Sequence, residues 1–342
     1  MEERQNVLMN FELLKLKFHL EALDTLYFPH YLGSTLRGGL GHALKKETCV
    51  NPHRECVNCT LTGDCPYSYC FETPADKSSH TKNTYLPHPY VLEPPILKRN
   101  ELEKGEKFSF NLLLIGRGIR YLPYFVLAID SLGRKGLGRD RGRFKLLRVT
   151  STDGVEVFAG NLCMPFQEPR PIRFSDILLE SAGVKSDWLR IDFITWARIK
   201  PRSRPTDRLD FAMFMQHLLG RISLLSHYHC SEDFLWEGCF PSFDGVKTVS
   251  SELSWYDWER YSTRKKRPMK LGGVLGNITF AGNFAPFLPY IILGKYIHIG
   301  KQTSFGLGKY RITMKEGTDV ESPCENNRHR KEHRGGPLIL DT

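Results

Sequence analysis

Hydrophobic and polar residues alternate near the start of the chain, a pattern typical of a β-strand with one buried face. In residues 8–20 the two predicted faces are mostly apolar and basic, respectively: Glu12, Leu14, Leu16, Phe18 and Leu20 against Lys15, Lys17 and His19. Pro29 and Gly33 then interrupt the chain. A helix is predicted over residues 34–46, with Ser34 as its N-cap and a leucine at every fourth position of its buried face.

Elements of the same kinds follow later in the chain. The pattern predicts a strand over residues 108–115 and a helix over residues 122–132. Apolar and polar residues alternate again from Trp188 until Pro201 stops the strand. Helical spacing then extends to about Tyr228, with Thr206 as the predicted N-cap. A strand over residues 271–281 and a helix that starts at the next Leu-Pro-Tyr complete this second series.

One motif occurs once in each series. Leu122-Pro123-Tyr124, Gly136-Leu137-Gly138 and the basic strand from Arg143 recur as Leu288-Pro289-Tyr290, Gly306-Leu307-Gly308 and the basic strand from Lys309. This duplication and the order β, α, β, β, α, β predict an α+β protein with tandem ferredoxin-like (RRM-like) domains. We expect the first domain at residues 8–150 with a cysteine-rich insertion at about 47–72, a linker at 151–186, the second domain at 187–315 and a flexible tail at 316–342.

The charge balance changes the picture from fold to partner. The 342 residues contain 48 Lys and Arg against 38 Asp and Glu, a formal net charge of +10. Such an excess suits a nucleic acid or an anionic membrane surface. No apolar stretch reaches the roughly 20 residues of a membrane span, and the first ten residues lack the apolar core of a secretion signal. We therefore expect a cytoplasmic protein that binds a polyanion, with RNA as the leading candidate.

Five of the nine cysteines fall between positions 49 and 70. Cys56 and Cys59 have the two-residue spacing of a metal-chelating pair, and Cys49 with Cys65 or Cys70 could complete a four-thiolate site. The prediction is a structural zinc ion. The spacing also permits an iron–sulfur cluster or free buried thiols, and these alternatives stay open.

Three segments near the end of the chain carry a family resemblance. Residues 271–280 (LGGVLGNITF), 286–290 (PFLPY) and 298–308 (HIGKQTSFGLG) closely resemble the closing signature of the CRISPR repeat-processing endoribonucleases of the RAMP superfamily. Residues 36–41 (LRGGLG), 136–139 (GLGR) and the Asp210-Phe211 pair resemble the same family. The resemblance implies an enzyme that cuts CRISPR precursor RNA within its repeats without a catalytic metal. It also allows a non-catalytic RNA-binding subunit of a CRISPR effector complex.

Metal-free RNA cleavage by a 2′-OH needs a base near neutral pKa, cations for the crowded oxyanions and an aligned phosphate. His42 is the predicted base because it shares a helix face with Lys45 and Lys46, opposite the leucine stripe. Tyr31, just upstream, is predicted to orient the scissile phosphate. The alternative is that His42 is simply a solvated helix residue.

The predicted RNA contacts are the two glycine loops and the cations around them. Glycine lets the main chain approach a phosphate closely, and the neighbouring side chains supply charge. The predicted set is Arg37, Gly136, Gly138, Arg139, Arg141, Arg143, His298, Lys301, Gly306, Gly308 and Lys309. Ordinary turn chemistry is the competing explanation for the glycines. The basic run at 264–267 beside aromatic residues is read equally as a solvated loop or a grip for single-stranded RNA. A zinc-dependent nucleic-acid binder unrelated to CRISPR is a third functional hypothesis.

Overall fold

The computed structural model of the chain describes residues 8, 10–51, 55–73, 86–97, 99–160, 168–199, 209–230, 242–262, 267–315 and 338–339. It shows an α+β protein with two antiparallel sheets, each covered by helices. This confirms the predicted class and the presence of two sheet-containing units. In the described residues, no helix combines the length and the apolarity that a membrane crossing requires.

The first sheet has the strand order β3-β5-β1-β6-β7, with β8 paired to one end of β1. Its strands are β1 (Glu12–Ala22), β3 (Tyr90–Glu93), β5 (Lys107–Ile115), β6 (Phe144–Ser151), β7 (Glu156–Ala159) and β8 (Ile172–Arg173). A separate short ladder pairs β2 (Leu26–Tyr27) with β4 (Glu101–Leu102). Every neighbouring pair is antiparallel. Counted in chain order, the four main strands β1, β3, β5 and β6 are arranged 2-3-1-4.

Two helices cover one face of this sheet: α1 (Gly33–Thr48) and α2 (Leu122–Lys135). The apolar face of β1 packs with the leucine stripe of α1 and the apolar face of α2 in one core, as its alternation predicted. Helix α1 begins one residue before the predicted N-cap Ser34, and its N-cap position is Leu32, which makes no side-chain cap. Ser34 therefore lies inside the helix, and that prediction is wrong. The helix starts instead at Gly33, which lies against another loop, as described below.

The second sheet has the order β10-β13-β9-β14-β15. Its strands are β9 (Trp188–Ala197), β10 (Lys247–Tyr256), β13 (Gly273–Ala281), β14 (Tyr310–Met314) and β15 (Leu338–Ile339), and β11 (Glu259–Ser262) pairs with β12 (Arg267–Lys270) outside it. The four main strands repeat the 2-3-1-4 arrangement of the first sheet. Residues 338–339, predicted within a flexible tail, pair with β14 instead.

The helices of the second unit are α3 (Phe174–Ser181), α4 (Phe211–Leu225) and α5 (Leu288–Ile297). Asp210 caps α4, since its carboxylate accepts the amide of Met213 at 2.7 Å. The predicted cap, Thr206, lies outside the described residues. Helix α4 continues into a π-helical turn at Ser226–Cys230.

The two units share buried surface. Leu13, Val91, Leu113 and Ile115 of the first sheet belong to the same apolar cluster as the helices of the second unit. One end of the predicted basic face of β1 is therefore covered, and Lys15 on that face is only 8% exposed. The alternation in β1 is confirmed on its apolar face, whereas the other face is solvated only farther along, at Lys17.

Two predicted boundaries need correction. Residues 151–186, predicted as a linker, contain β7, β8 and α3, and β8 pairs with β1. The cysteine-rich segment is also less separate than predicted, because its π-helical turn Ser68–Glu72 places Tyr69, Cys70 and Phe71 in the first core. Neither segment could be recognised as packed from the sequence, because each contributes only a few apolar residues.

Candidate functional site

Helix α1 lies against both copies of the repeated glycine loop. At its first residue, a Cβ on Gly33 would lie 2.0 Å from the carbonyl oxygen of Phe305 in the second loop. Two turns later, a Cβ on Gly39 would lie 3.0 Å from a side-chain carbon of Leu137 in the first loop. Glycine at these two positions allows the close approach. The helix that carries the predicted base is therefore held by both loops.

His42 is exposed on α1, and Lys46 is exposed one turn farther on. Lys45 is half-buried, with its ammonium 5.5 Å from the centroid of the Tyr67 ring. One turn before His42, a Cβ on Gly38 would meet no atom of the described residues within 4 Å. The structure thus keeps His42 and Lys46 together beside open space. His42 lies about 13 Å along the helix axis from Gly33, so it is not adjacent to the second loop.

Tyr31 is buried where the two units meet. Its hydroxyl donates a hydrogen bond of 2.8 Å to the carbonyl oxygen of Phe305. Its ring lies 5.3 Å from Trp196 and 5.5 Å from Trp258. Burial strongly raises the pKa of this phenol. The predicted role of Tyr31 in orienting a phosphate would therefore require the bond to Phe305 to break first.

His30 is a candidate that the sequence did not raise. It is exposed at the start of α1, and its ring centroid lies 6.1 Å from that of Trp196 in β9. Nothing in the sequence indicated that Trp196 lies near His30, because Trp196 belongs to the other unit and is far along the chain. Only the packing of the two units brings an exposed histidine to the rim of this aromatic cluster, defined by Tyr31, Trp196 and Trp258.

The second glycine loop, residues 298–309, is closely packed. Gly306 and Gly308 have positive φ values of 86° and 77°, and a Cβ on Gly308 would lie 1.9 Å from the carbonyl oxygen of Ile299. Their amides already donate to the carbonyl oxygens of Thr303 and Trp196. The local backbone conformation and packing therefore explain why both positions are glycine. Their contact with a phosphate stays a prediction, and exposed Lys301 is the better placed group for it.

The first glycine loop, residues 136–143, is more open. Gly136 and Gly138 also have positive φ values, of 89° and 83°. Arg139 and Arg141 are exposed. Arg143 instead donates two hydrogen bonds to Asp24, at 2.8 and 3.1 Å, and these bonds lower the pKa of that carboxyl to about 2.

Glu93, at the end of β3, lies at the centre of a buried ionic cluster. Its two carboxylate oxygens are 3.1 Å from Nε2 of His298 and 3.0 Å from Nζ of Lys309. Burial acts to raise the pKa of Glu93, but the His298 bond and the lysine charges outweigh it, so the pKa lies below its ordinary value. The carboxylate is therefore ionised, as its donors require.

His298 needs a correction. It was predicted to contact RNA, yet its side chain is fully buried, with Nδ1 3.2 Å from the carbonyl oxygen of Leu307 and Nε2 bonded to Glu93. Burial lowers its pKa, and the Glu93 carboxylate opposes this effect. A fully buried imidazole cannot touch RNA, so His298 is an internal support of the loop. Lys309 is partly exposed but is likewise engaged by Glu93.

Arg37 connects α1 to the second loop. Its guanidinium carbon lies 5.0 Å from the centroid of the Phe71 ring and 5.2 Å from that of Phe305. The same side chain donates to the hydroxyl of Tyr90 at 3.2 Å and lies 3.3 Å from Nε2 of His88. The predicted RNA contact of Arg37 stays a prediction, and the structure adds these internal partners.

His229 lies in the π-helical turn that follows α4. It is 1% exposed, with Nδ1 2.8 Å from the hydroxyl of Tyr69 and Nε2 2.9 Å from the carbonyl oxygen of Pro87. Burial lowers its pKa to about 4. The ring is therefore neutral at pH 7, because this end of the helix is buried against the first unit.

The predicted zinc ligands form no recognisable metal site among the described residues. Cys49, Cys56, Cys59 and Cys65 are all half-buried, and Cys70 is fully buried. Across the part of the chain that the structure describes, no three His, Cys, Asp or Glu side chains are close enough together to hold a metal ion. The geometry thus gives no support for the zinc prediction.

Of the predicted basic run, positions 264–266 lie outside the described residues.

Family models match both halves of the chain. Residues 11–165 match a model described as an N-terminal domain. Residues 191–310 match the model of the CRISPR-associated endoribonuclease Cas6. No curated protein gives a significant match.

Several solved structures share this fold. A partial Cas6-RT-Cas1–Cas2 complex and a second Cas6-RT-Cas1–Cas2 complex each have 14% identity and a TM-score of 0.55 over 93% of this chain. The chain spans 48% and 30% of those two chains, half of their length or less. A Cas6 product complex has 14% identity and a TM-score of 0.51, over 87% of this chain and 98% of the other. At this identity the likeness shows the fold alone.

Proposed function

We propose that the chain cleaves CRISPR precursor RNA within its repeats, because residues 191–310 match the family model of the CRISPR-associated endoribonuclease Cas6. We include in this proposal that both units are ferredoxin-like domains. Its support is the 2-3-1-4 strand arrangement that both sheets share. The fold alone would not specify an activity, so the proposal rests on the family and on the site.

The proposed reaction needs no catalytic metal. The 2′-oxygen attacks the adjacent phosphorus, the bond from phosphorus to the 5′-oxygen breaks, and the products are a 2′,3′-cyclic phosphate and a 5′-OH end. His42 takes the proton of the 2′-OH or delivers a proton to the leaving 5′-oxygen. Lys46 and Lys45 stabilise the negative charge that develops on the phosphorane oxygens.

One observation carries this assignment. Helix α1 is held between two loops of the repeated motif, and on this helix His42 and Lys46 are exposed beside the open space at Gly38. Glycine inside a helix costs about 1 kcal/mol relative to alanine. Since no described atom approaches a Cβ at Gly38, packing does not explain this glycine, whereas room for a bound strand does.

His30 is the competing base. It lies at the rim of the aromatic cluster, beside the second glycine loop, where the family signature is concentrated. Single-turnover cleavage by the His42→Ala and His30→Ala variants separates the two assignments. Loss of the general base should lower the rate constant about 100- to 10,000-fold. An unchanged rate in His42→Ala would refute its role and leave the function standing.

The test of the function uses the cognate repeat RNA. We expect the purified protein to cut it in EDTA, to leave a cyclic phosphate, and to fail on RNA with a 2′-deoxy substitution at the scissile nucleotide. Undiminished cutting of the deoxy substrate would refute the mechanism. His227→Ala is a matched control, because this half-buried histidine lies at the far end of α4.

A non-catalytic RNA-binding subunit is the second candidate. The distance of His42 from the second glycine loop favours it, because a base and its phosphate-binding loop would be expected to lie together. Tight binding of the repeat RNA by the wild-type protein, with intact RNA recovered after prolonged incubation, would establish this alternative over the enzyme.

A further inference from the structure

Both ends of the second glycine loop meet one carboxylate of the other unit. His298 begins the loop and Lys309 ends it, and each donates to a different oxygen of Glu93, at 3.1 and 3.0 Å. Glu93 belongs to β3 of the first sheet, whereas the loop joins α5 to β14 of the second unit. A single side chain of one unit therefore closes the base of a loop in the other.

Several donor groups surround the Glu93 carboxylate. Glu93 is 5% exposed, and Asn111 of β5 donates to the same oxygen as Lys309, at 2.8 Å. Nζ of Lys15 lies 4.0 Å from that oxygen. A buried charge is tolerated only when it is paired and hydrogen-bonded, and removal of one partner leaves the others uncompensated. The cluster thus depends on the charge of Glu93.

The loop adopts a conformation that needs external support. His298 and Gln302 are not glycine, yet they have φ values of 63° and 65°, in the sparsely populated left-handed region. Nδ1 of His298 also reaches the carbonyl oxygen of Leu307 inside the loop. The contact with Glu93 therefore fixes a strained residue and, through it, the centre of the loop.

The same loop touches the helix of the predicted base. Phe305 accepts the hydroxyl of Tyr31 and packs on Gly33 and Arg37 at the start of α1. We infer that Glu93 is a positioning residue, which acts through His298 and Lys309 to hold the second glycine loop in register with α1 for RNA cleavage. This inference rests on the proposed function, and Glu93 itself does not contact RNA.

Glu93→Gln tests the inference, because it keeps the size of the side chain and removes its charge. The first measurement is amide hydrogen exchange in residues 300–308, which needs no activity. We expect exchange there to be about 10-fold faster or more, because a charge-assisted bond at each end is weakened. Glu252→Gln is the matched control, since this exposed carboxylate also accepts from an asparagine, Asn277, at 2.8 Å. Unchanged exchange in Glu93→Gln would overturn the inference.

The second measurement is single-turnover cleavage beside affinity for a 2′-deoxy repeat RNA. A small displacement of a positioned loop can cost about 100-fold in rate. We expect the rate constant of Glu93→Gln to fall by that order while its affinity changes less than about 3-fold, because the substituted side chain is buried and does not itself contact RNA. A rate equal to that of the wild type would overturn the inference. A merely structural role would lower thermal stability without this split, and that result would also overturn it.

Failure of the proposed function gives a different pattern. If the wild-type protein binds the repeat RNA but never cuts it, the enzyme proposal fails, and affinity for the RNA replaces rate as the readout for Glu93. Unchanged affinity in Glu93→Gln would then overturn the inference, and weakened affinity with faster loop exchange would support it. Should Glu93→Gln not fold, Asn111→Ala removes one donor at a half-buried position and must shift exchange and rate in the same direction.

Discussion

The two glycine loops have the same sequence pattern and different surroundings. The first loop lies beside exposed Arg139 and Arg141, and its third arginine pairs with Asp24 at the surface. The second loop is closed at both ends by buried Glu93 and packs against α1. A repeated motif therefore does not imply a repeated role. The first copy exposes two arginines to solvent, whereas the second lies between the two units, against α1 and Glu93.

Replacement of a glycine in each loop should give the largest difference. Gly308→Ala would place a Cβ 1.9 Å from the Ile299 oxygen at a φ of 77°, so we expect a loss of about 3–5 kcal/mol in the free energy of unfolding. Gly138→Ala meets only the Tyr27 oxygen at 2.9 Å, and we expect a loss of about 1–2 kcal/mol. Urea denaturation of both variants measures this difference.

Gly154→Ala is the control for positive φ alone, because its φ is 81° and no atom lies within 4 Å of its Cβ position. Equal losses for Gly308→Ala and Gly138→Ala would contradict the contrast between a packed and an open loop.

The pH dependence of stability should distinguish the buried contact between the two units from the open first loop. His229 lies in this buried contact, where its pKa is about 4, against an ordinary value of 6.5. The unfolded chain therefore takes up a proton that the folded chain excludes. Its contribution is complete above about pH 6.5 and is lost as the pH falls toward 4, in total up to about 3 kcal/mol. The Asp24 carboxyl at the first loop, with a pKa of about 2, titrates only in stronger acid.

His229→Gln removes one titrating group and should reduce the slope of the stability curve between pH 6.5 and 4, to which buried His88, with a pKa lowered to about 3, also contributes. Free energies of unfolding measured across this range decide the matter, and identical slopes in His229→Gln and the wild type would count against the buried neutral histidine.

Removal of cations from the open loop should have the smallest effect. Arg139→Ala and Arg141→Ala should weaken RNA binding and reduce the slope of log affinity against log salt by about 1 for each arginine that contacts a phosphate. Neither variant should change the unfolding midpoint. Arg134→Ala is the control, because this exposed arginine on α2 pairs with Asp130. Salt slopes equal to that of the wild type in both loop variants would show that the first loop does not bind RNA.

The periodic elements could be predicted because each follows from local chemistry. The alternation in β1, the leucine stripe of α1 and the Leu-Pro-Tyr helix starts all lie in the structure close to their predicted positions. The errors in these predictions lie at the ends of the elements. Ser34 was preferred as a cap by its side chain, but contact with Phe305 places Gly33 at the helix start instead.

The candidate site was predicted less well, because most of its contacts join distant segments. His42 and Lys46 share a face as helical spacing required. His298 was interpreted as a structural or RNA-contacting histidine because it lies in the closing motif of the family, and its burial against Glu93 decides for the structural role. Glu93 itself carried no signal, since one glutamate before two prolines resembles any strand end.

The sequence by itself determined the class of fold, the duplication and the family resemblance, because side-chain periodicity and short motifs are local properties of the chain. Only the tertiary structure decided which cations face solvent, which histidines are buried and neutral, and which glycine loop joins the two units. The physical reason is that burial and ion pairing depend on residues brought together from both units, and their cost or benefit appears only when water is excluded between them.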